Sequence, residues 1–234
     1  MGLPMVDCRQ CQVRAQSSFC SLLKDDEIDL FMQMKKGHLY KKNQALFYEG
    51  NSCETIYLLC MGSVKLVQSS DSGQQQILEI VSPGAWVDQG AAFSSGRHSV
   101  TAQALENSAV SLLSVAHMTA ILKSFTGLSL TLITALSREV EKGRERLRHL
   151  RSKSANARLA GILLDLGRHH GIKREDGISI RLRLKREELA EMVCVTQETV
   201  VRLLTALKKE GTIRLSGKEI TILHQERLSR ILNH

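Results

Sequence analysis

Leu184-Lys185-Arg186-Glu187-Glu188-Leu189-Ala190-Glu191-Met192-Val193-Cys194-Val195-Thr196-Gln197-Glu198-Thr199-Val200-Val201-Arg202-Leu203-Leu204 reads as two short helices joined by a tight turn. Leu189, Met192 and Val193 form the apolar side of the first helix. Thr196 is a good N-cap for the second, and Gln197, Glu198 and Thr199 occupy its first turn, where the Glu198 carboxylate favours the helix dipole. Val200, Leu203, Leu204 and Leu207 recur at helical spacing and should pack inward. Glu198 and Arg202 are four apart, so they share a face outside that stripe. An acceptor and a forked donor near the start of a second helix suit base edges in a DNA major groove. An i,i+4 surface ion pair is the plainer reading of the same two residues.

Downstream, Lys208-Lys209-Glu210-Gly211 ends the helix with basic residues and a C-cap glycine. Residues 212–223 then alternate on both sides of Ser216-Gly217, a hairpin signal. A helix-turn-helix followed by such a hairpin is a winged helix. Upstream, residues 155–170 read as a helix with Leu159, Ile162, Leu163 and Leu166 inward, followed by Gly171 and a strand over 178–182. Before these lies the longest periodic segment, about 128–153. In it Ile133, Leu136, Val140, Gly143, Leu147 and Leu150 stand three and four apart among charged residues. One narrow apolar stripe on a long helix suits dimerisation, while packing on its own domain is the alternative. Gly143 on the seam weakens the helix by about 1 kcal/mol relative to alanine.

From about 39 to 115 the pattern changes to short strands punctuated by glycine turns, as at Gly50, Gly62, Gly73 and Pro83-Gly84, which implies a barrel or jelly roll. A short helix follows over 117–125, and another is expected earlier, over 21–37, with acids clustered at Asp25-Asp26-Glu27. The first twenty residues carry Cys8-Arg9-Gln10-Cys11 and Cys20. A C-x2-C pair with a third thiol is a common way to hold zinc or an iron–sulfur cluster, because soft thiolates select those metals. Three unligated thiols are the alternative, and no fourth cysteine is near in sequence.

The chain of 234 residues can bury one large or two ordinary cores. Its net charge of +8 favours a polyanionic partner. There is no signal-peptide pattern and no apolar run long enough to span a bilayer, so a cytoplasmic protein without a membrane partner is expected, whose six cysteines are thiols or metal ligands rather than disulfides.

With barrel, long helix and winged helix-turn-helix in this order, the sequence resembles the CRP/FNR superfamily of bacterial transcription regulators over nearly its full length. The resemblance implies an α+β fold: an N-terminal cysteine-bearing segment (1–25), a β-roll sensor domain of jelly-roll, cyclic-nucleotide-binding type (26–125), a dimerisation helix (126–153) and a winged helix-turn-helix (154–234). It implies no enzyme, a homodimer, a palindromic duplex with TGA-like half-sites, and RNA polymerase as a further partner. In that family the Glu and Arg of Glu198-Thr199-Val200-Val201-Arg202 read a G·C pair, Gln197 sits at the variable position before them, and Thr196 and Thr199 frame the same turn. Arg186 and Lys208 are candidate phosphate contacts by charge and placement.

The N-terminal thiols resemble the FNR branch, where three N-terminal cysteines and one internal cysteine hold an oxygen-labile [4Fe-4S] cluster. Cys8, Cys11 and Cys20 match the first three. Ser111 stands where the resemblance puts the internal cysteine, and serine is a poor cluster ligand because its alkoxide is hard and costly to form. Cys60, Cys53, Asp7 or a non-protein ligand is then needed. The cyclic AMP branch carries a Gly-Glu pair and an Arg-Ser/Thr pair where this chain has Asp88-Gln89 and Ser99-Val100, so the cyclic AMP pocket reads as absent, although Arg97 and His98 lie nearby. Cys194 stands in the helix-turn-helix turn, where relatives have glycine for a positive φ, and reads either as a redox thiol or as an inert one. Two further readings stay open: a regulator with no cluster, driven by another ligand or constitutive, and a cupin-like metal enzyme. The second would need inward His and carboxylate ligands that the scattered His38, His98 and His117 do not form.

Overall fold

The computed structural model describes residues 7–17, 19–70, 73, 75–151 and 154–233, without the side chains of 16, 138, 139, 142 and 145–151. It divides into two compact units, Met1–Glu141 and Lys142–His234.

In the first unit, three 3-10 turns (Cys8–Gln10, Arg14–Gln16, Cys20–Leu22) precede α1 (Asp25–Met34). The strands follow as β1 (Lys36–Tyr40), β2 (Ala45–Phe47), β3 (Thr55–Met61), β4 (Val64–Ser69), β5 (Gln75–Val81) and β6 (Trp86–Val87). After a one-turn α2 (Gln89–Phe93) come β7 (Thr101–Ala104) and β8 (Ser108–Ser114). Two four-stranded antiparallel sheets result, ordered β1-β8-β3-β6 and β2-β7-β4-β5. Alternation along the strands feeds two cores. Leu59 and Val110 of the first sheet meet Phe47, Leu66 and Ala102 of the second, filling the roll. Leu58, Leu113 and Trp86 face the other way and are covered by Phe19, Phe31 of α1, Met118 of α3 (Val115–Ser124) and Leu128 of α4 (Thr126–Arg151). Gly84 (φ +91°) could not carry a side chain, since a Cβ there would come within 2.9 Å of Val13 and 3.3 Å of Ser17. The cysteine-bearing segment is therefore packed directly on the β-roll.

The single helix expected over 21–37 is a correction. The Glu27 carboxylate accepts the Lys24 N–H at 2.7 Å, which starts α1 at Asp25. Residues from Lys36 onward pair instead with β8, from Lys36↔Leu112 to Tyr40↔Ser108. The free edge of β8 outweighs the helical spacing there.

α4 ends the first unit and begins the second. Leu128 and Leu132 are buried in the first unit, while Leu130, Ile133 and Val140 are 61, 58 and 54% exposed. Of the remaining seam residues, Leu136 and Gly143 are half-buried, and the side chains of Leu147 and Leu150 lie outside those described. No single described helix is long and apolar enough to cross a membrane.

The second unit contains α5 (Ala155–His170), β9 (Gly171–Arg174), β10 (Gly177–Ile180), α6 (Arg186–Val193), α7 (Gln197–Lys209), β11 (Ile213–Ser216), β12 (Glu219–Ile222) and α8 (Gln225–Asn233). Its sheet runs β11-β12-β10-β9. Three of its features differ from the sequence reading. β9 pairs with β10 across the two-residue turn Glu175-Asp176, β10 ends at Ile180, short of residue 182, and α8 follows β12 with Leu228 fully buried.

Candidate functional site

α6 begins where the Lys185 N–H meets the Glu188 carboxylate at 2.7 Å and ends at Cys194, whose φ of +56° is left-handed. The Cys194 N–H still reaches the Ala190 carbonyl, and Arg158 Nε donates to the Val193 carbonyl at 2.8 Å, so the turn is pinned from both sides. Thr196 then caps α7 by accepting the Thr199 N–H at 3.3 Å. Val200, Leu204 and Leu207 are buried, which fixes the roll of α7 about its axis. The opposite face presents Gln197, Glu198 and Arg202, all exposed, around a shallow open depression. Val201 shares this depression and is 45% exposed, an apolar contact the sequence reading did not single out. Its place outside the inward stripe was the available signal. Thr196 is exposed and Thr199 half-buried.

The Glu198 carboxyl is held below the usual carboxylate range by its own backbone N–H and then by the Thr196 hydroxyl. No ion pair joins Glu198 to Arg202 among the described residues, so both remain available to a third party. Lys208 is exposed at the far end of α7. Arg186, expected at a phosphate, is half-buried, and its Nη2 donates to the Gly217 carbonyl of the β11–β12 turn at 3.1 Å. Burial pulls its pKa down, and its Nη1 is buried without a partner. Arg186 as placed fastens the wing to α6.

In the first unit, Cys20 is buried, Cys8, Cys11 and Cys60 are half-buried, and Cys53 is buried at another place in the roll. Burial pushes the Cys20 thiol up to about 11, a Ser17 hydrogen bond opposes this, and Cys8, Cys60 and Cys11 each add to the rise. The four thiols therefore lie in one neighbourhood. Cys53 Sγ instead faces the Thr55 carbonyl at 3.7 Å and is raised by burial and by Asp88. Asp7 accepts the Arg9 N–H at 2.9 Å as the cap of the first turn. Among the described residues no three His, Cys, Asp or Glu side chains yet converge on one metal position. The Trp86 indole N–H, in a residue 5% exposed, is buried beneath this segment without an acceptor. Four soft donors and an orphaned N–H fit an iron–sulfur cluster in chemistry.

The positions compared with the cyclic AMP branch hold other residues, most of them buried or bonded. His98 is 3% exposed, its Nδ1 is 2.8 Å from Asp88 Oδ2, and its ring stacks on Phe47 at 3.6 Å. Gln89 and Val100 are buried. Arg97 donates to the Gly50 carbonyl at 2.8 Å. Gln89 and Val100 are thus turned inward and Asp88, Arg97 and His98 are already bonded, while Ser99 is exposed. His38 and His117 are exposed and stand apart from this pair.

A β-roll carrying a helix that leads into a winged helix-turn-helix defines a two-domain, DNA-binding regulator. A model of the cyclic nucleotide-binding domain matches residues 38–125, and one of the Crp-like helix-turn-helix domain matches residues 157–231. The chain belongs to the CRP/FNR family of transcription regulators. It is 26% identical to the transcriptional activator protein Anr of Pseudomonas aeruginosa, over 95% of this chain and 91% of the relative. It is also 26% identical to the cyclic AMP receptor protein of Thermus thermophilus, over 89% of this chain and 94% of that one. The solved structure of FixK2 from Bradyrhizobium japonicum superposes with a TM-score of 0.76 at 22% identity, covering 84% of this chain and 96% of that chain. Equal identity to the first two leaves the sensory branch to the residues themselves.

Proposed function

We propose that the protein is a homodimeric, sequence-specific regulator that reads TGA-type half-sites through Glu198 and Arg202 and responds to oxygen or redox state through its N-terminal thiols. The DNA reading rests on one observation above all: Glu198 and Arg202 project from the exposed face of α7, unpaired with each other, beside Gln197 and Val201. An ionised carboxylate accepts from cytosine N4, a guanidinium donates to guanine O6 and N7, and Val201 suits a thymine methyl. The exposed stripe Leu130, Ile133 and Val140 supports pairing of two copies along α4, giving a palindromic operator with half-sites about one helical turn apart. RNA polymerase is the partner such an operator-bound regulator would recruit or block.

Binding to a palindromic duplex tests this. Arg202→Ala should weaken specific binding by about 1–3 kcal/mol per half-site while the protein sediments as a dimer. Undiminished operator preference in that variant would reject the role of Arg202.

The sensory reading rests on the grouping of Cys8, Cys11, Cys20 and Cys60. A bound [4Fe-4S] cluster would supply an oxygen-labile centre, and this chain's thiolates would hold it over the β-roll. A second reading is favoured by Cys194, exposed at the turn beside the DNA-reading helix, where oxidation to a bulkier, charged sulfur would obstruct DNA without any cluster.

A further inference from the structure

We propose that Cys60, on β3, supplies the fourth thiolate of the N-terminal cysteine site, in place of Ser111 on the neighbouring strand. This deepens the sensory reading above and rests on it. β3 and β8 pair with Leu58 opposite Ser111 and Leu59 opposite Val110, and an irregularity between Leu59 and Met61 sets Cys60 beside the Ser111 side chain. Cys60 Sγ lies 3.3 Å from Ser111 Oγ. A thiol on β3 thus stands in direct contact with the side chain at position 111 on the next strand.

Side-chain alternation decides which face this is. Leu59 and Val110 point into the roll. Leu58 and Leu113 point outward into the cluster built with Phe19 and Cys20, and Cys8 packs against the same cluster. Cys60 and Ser111 therefore share the face that the cysteine-bearing segment covers. Of the two thiols outside the N-terminal segment in this unit, Cys60 on β3 and not Cys53 ahead of it acts on Cys20, whereas Cys53 answers to Asp88. Trp86 stands opposite Leu58 in register, which puts its side chain, with the orphaned N–H, on the same face. Ser111 cannot serve at neutral pH, because an aliphatic hydroxyl gives a hard alkoxide only at high cost. Closing the ligand set would shift the short 3-10 turns that carry Cys8 and Cys20.

The test uses full-length protein purified without oxygen, read by iron, zinc and acid-labile sulfide content, by the visible spectrum and by far-ultraviolet circular dichroism. Wild type should carry about four irons and four sulfides per subunit. Cys60→Ala should keep its fold but lose the chromophore and most of the iron, while Ser111→Ala and Cys53→Ala keep both. The double variant Cys60→Ala/Ser111→Cys should recover the chromophore, which a merely damaged β3 would not allow. Full iron content in Cys60→Ala overturns the assignment of Cys60 and leaves the cluster reading standing. Zinc bound in a Cys60-dependent way keeps the four-thiol site and overturns the oxygen reading. Wild type with neither metal overturns both.

Discussion

Cys194 shows how much one residue can carry in this protein. Its φ of +56° is a conformation that costs a residue with a Cβ roughly 1–2 kcal/mol, and glycine gives back about 0.5–1 kcal/mol of that in chain entropy. Cys194→Gly should therefore stabilise the C-terminal unit by about 0.5–1 kcal/mol, measured by urea unfolding of the full chain. The same substitution separates the two sensory readings: if Cys194 oxidation controls binding, the glycine variant should keep its operator affinity in air. Under native labelling with iodoacetamide at pH 8, Cys194 should react first and Cys20 last, since one is exposed and the other is buried with its pKa at about 11. Rapid loss of Cys20 in unliganded protein would contradict its placement.

At the scale of elements, α4 carries the clearest prediction. Leu128 and Leu132 anchor one side of the helix in the first unit, so the outward residues are free to meet a second copy. Ile133→Glu with Val140→Glu should raise the dimer dissociation constant at least about a hundredfold, because a buried aliphatic is worth about 1.5–3 kcal/mol and each residue occurs twice. Sedimentation equilibrium reads this directly, and an unchanged dimer would move the interface elsewhere. The recognition element was legible in the sequence almost to the residue, because Thr196 is both a chemical cap and a physical boundary. The first helix was not. Its apolar residues Ile28, Phe31 and Met34 do lie in α1, but no local signal marks the end at Met34, and Lys36 to Tyr40 complete a sheet whose edge would otherwise stand open.

For the molecule as a whole, the β-roll acts as a platform on which the cysteine segment lies, and an apolar cluster fills the space between its sheets. His98 is bonded to Asp88 and stacked on Phe47, beside the positions where the cyclic AMP branch carries its ligand-gripping pairs. Isothermal titration with cyclic AMP should accordingly give no binding heat. His98→Ala should destabilise the first unit by about 3 kcal/mol, because it leaves the half-buried Asp88 carboxylate without its partner and removes a stacked ring. A loss below about 1 kcal/mol would mean that Asp88 reaches water and that the pair is not structural.

The sequence by itself determined the fold class, the order of barrel, long helix and winged helix-turn-helix, and the exposed Glu198–Arg202 face. Each rests on local signals: periodicity, caps and glycine turns act over a few residues and survive in one dimension. Only the folded chain shows which thiol stands beside Ser111, that Arg186 fastens the wing, and that His98 pairs with Asp88. The physical reason is that a strand's partner and register join residues far apart in the chain, as with Cys60 and Ser111, 51 positions apart. No spacing rule reaches across that distance.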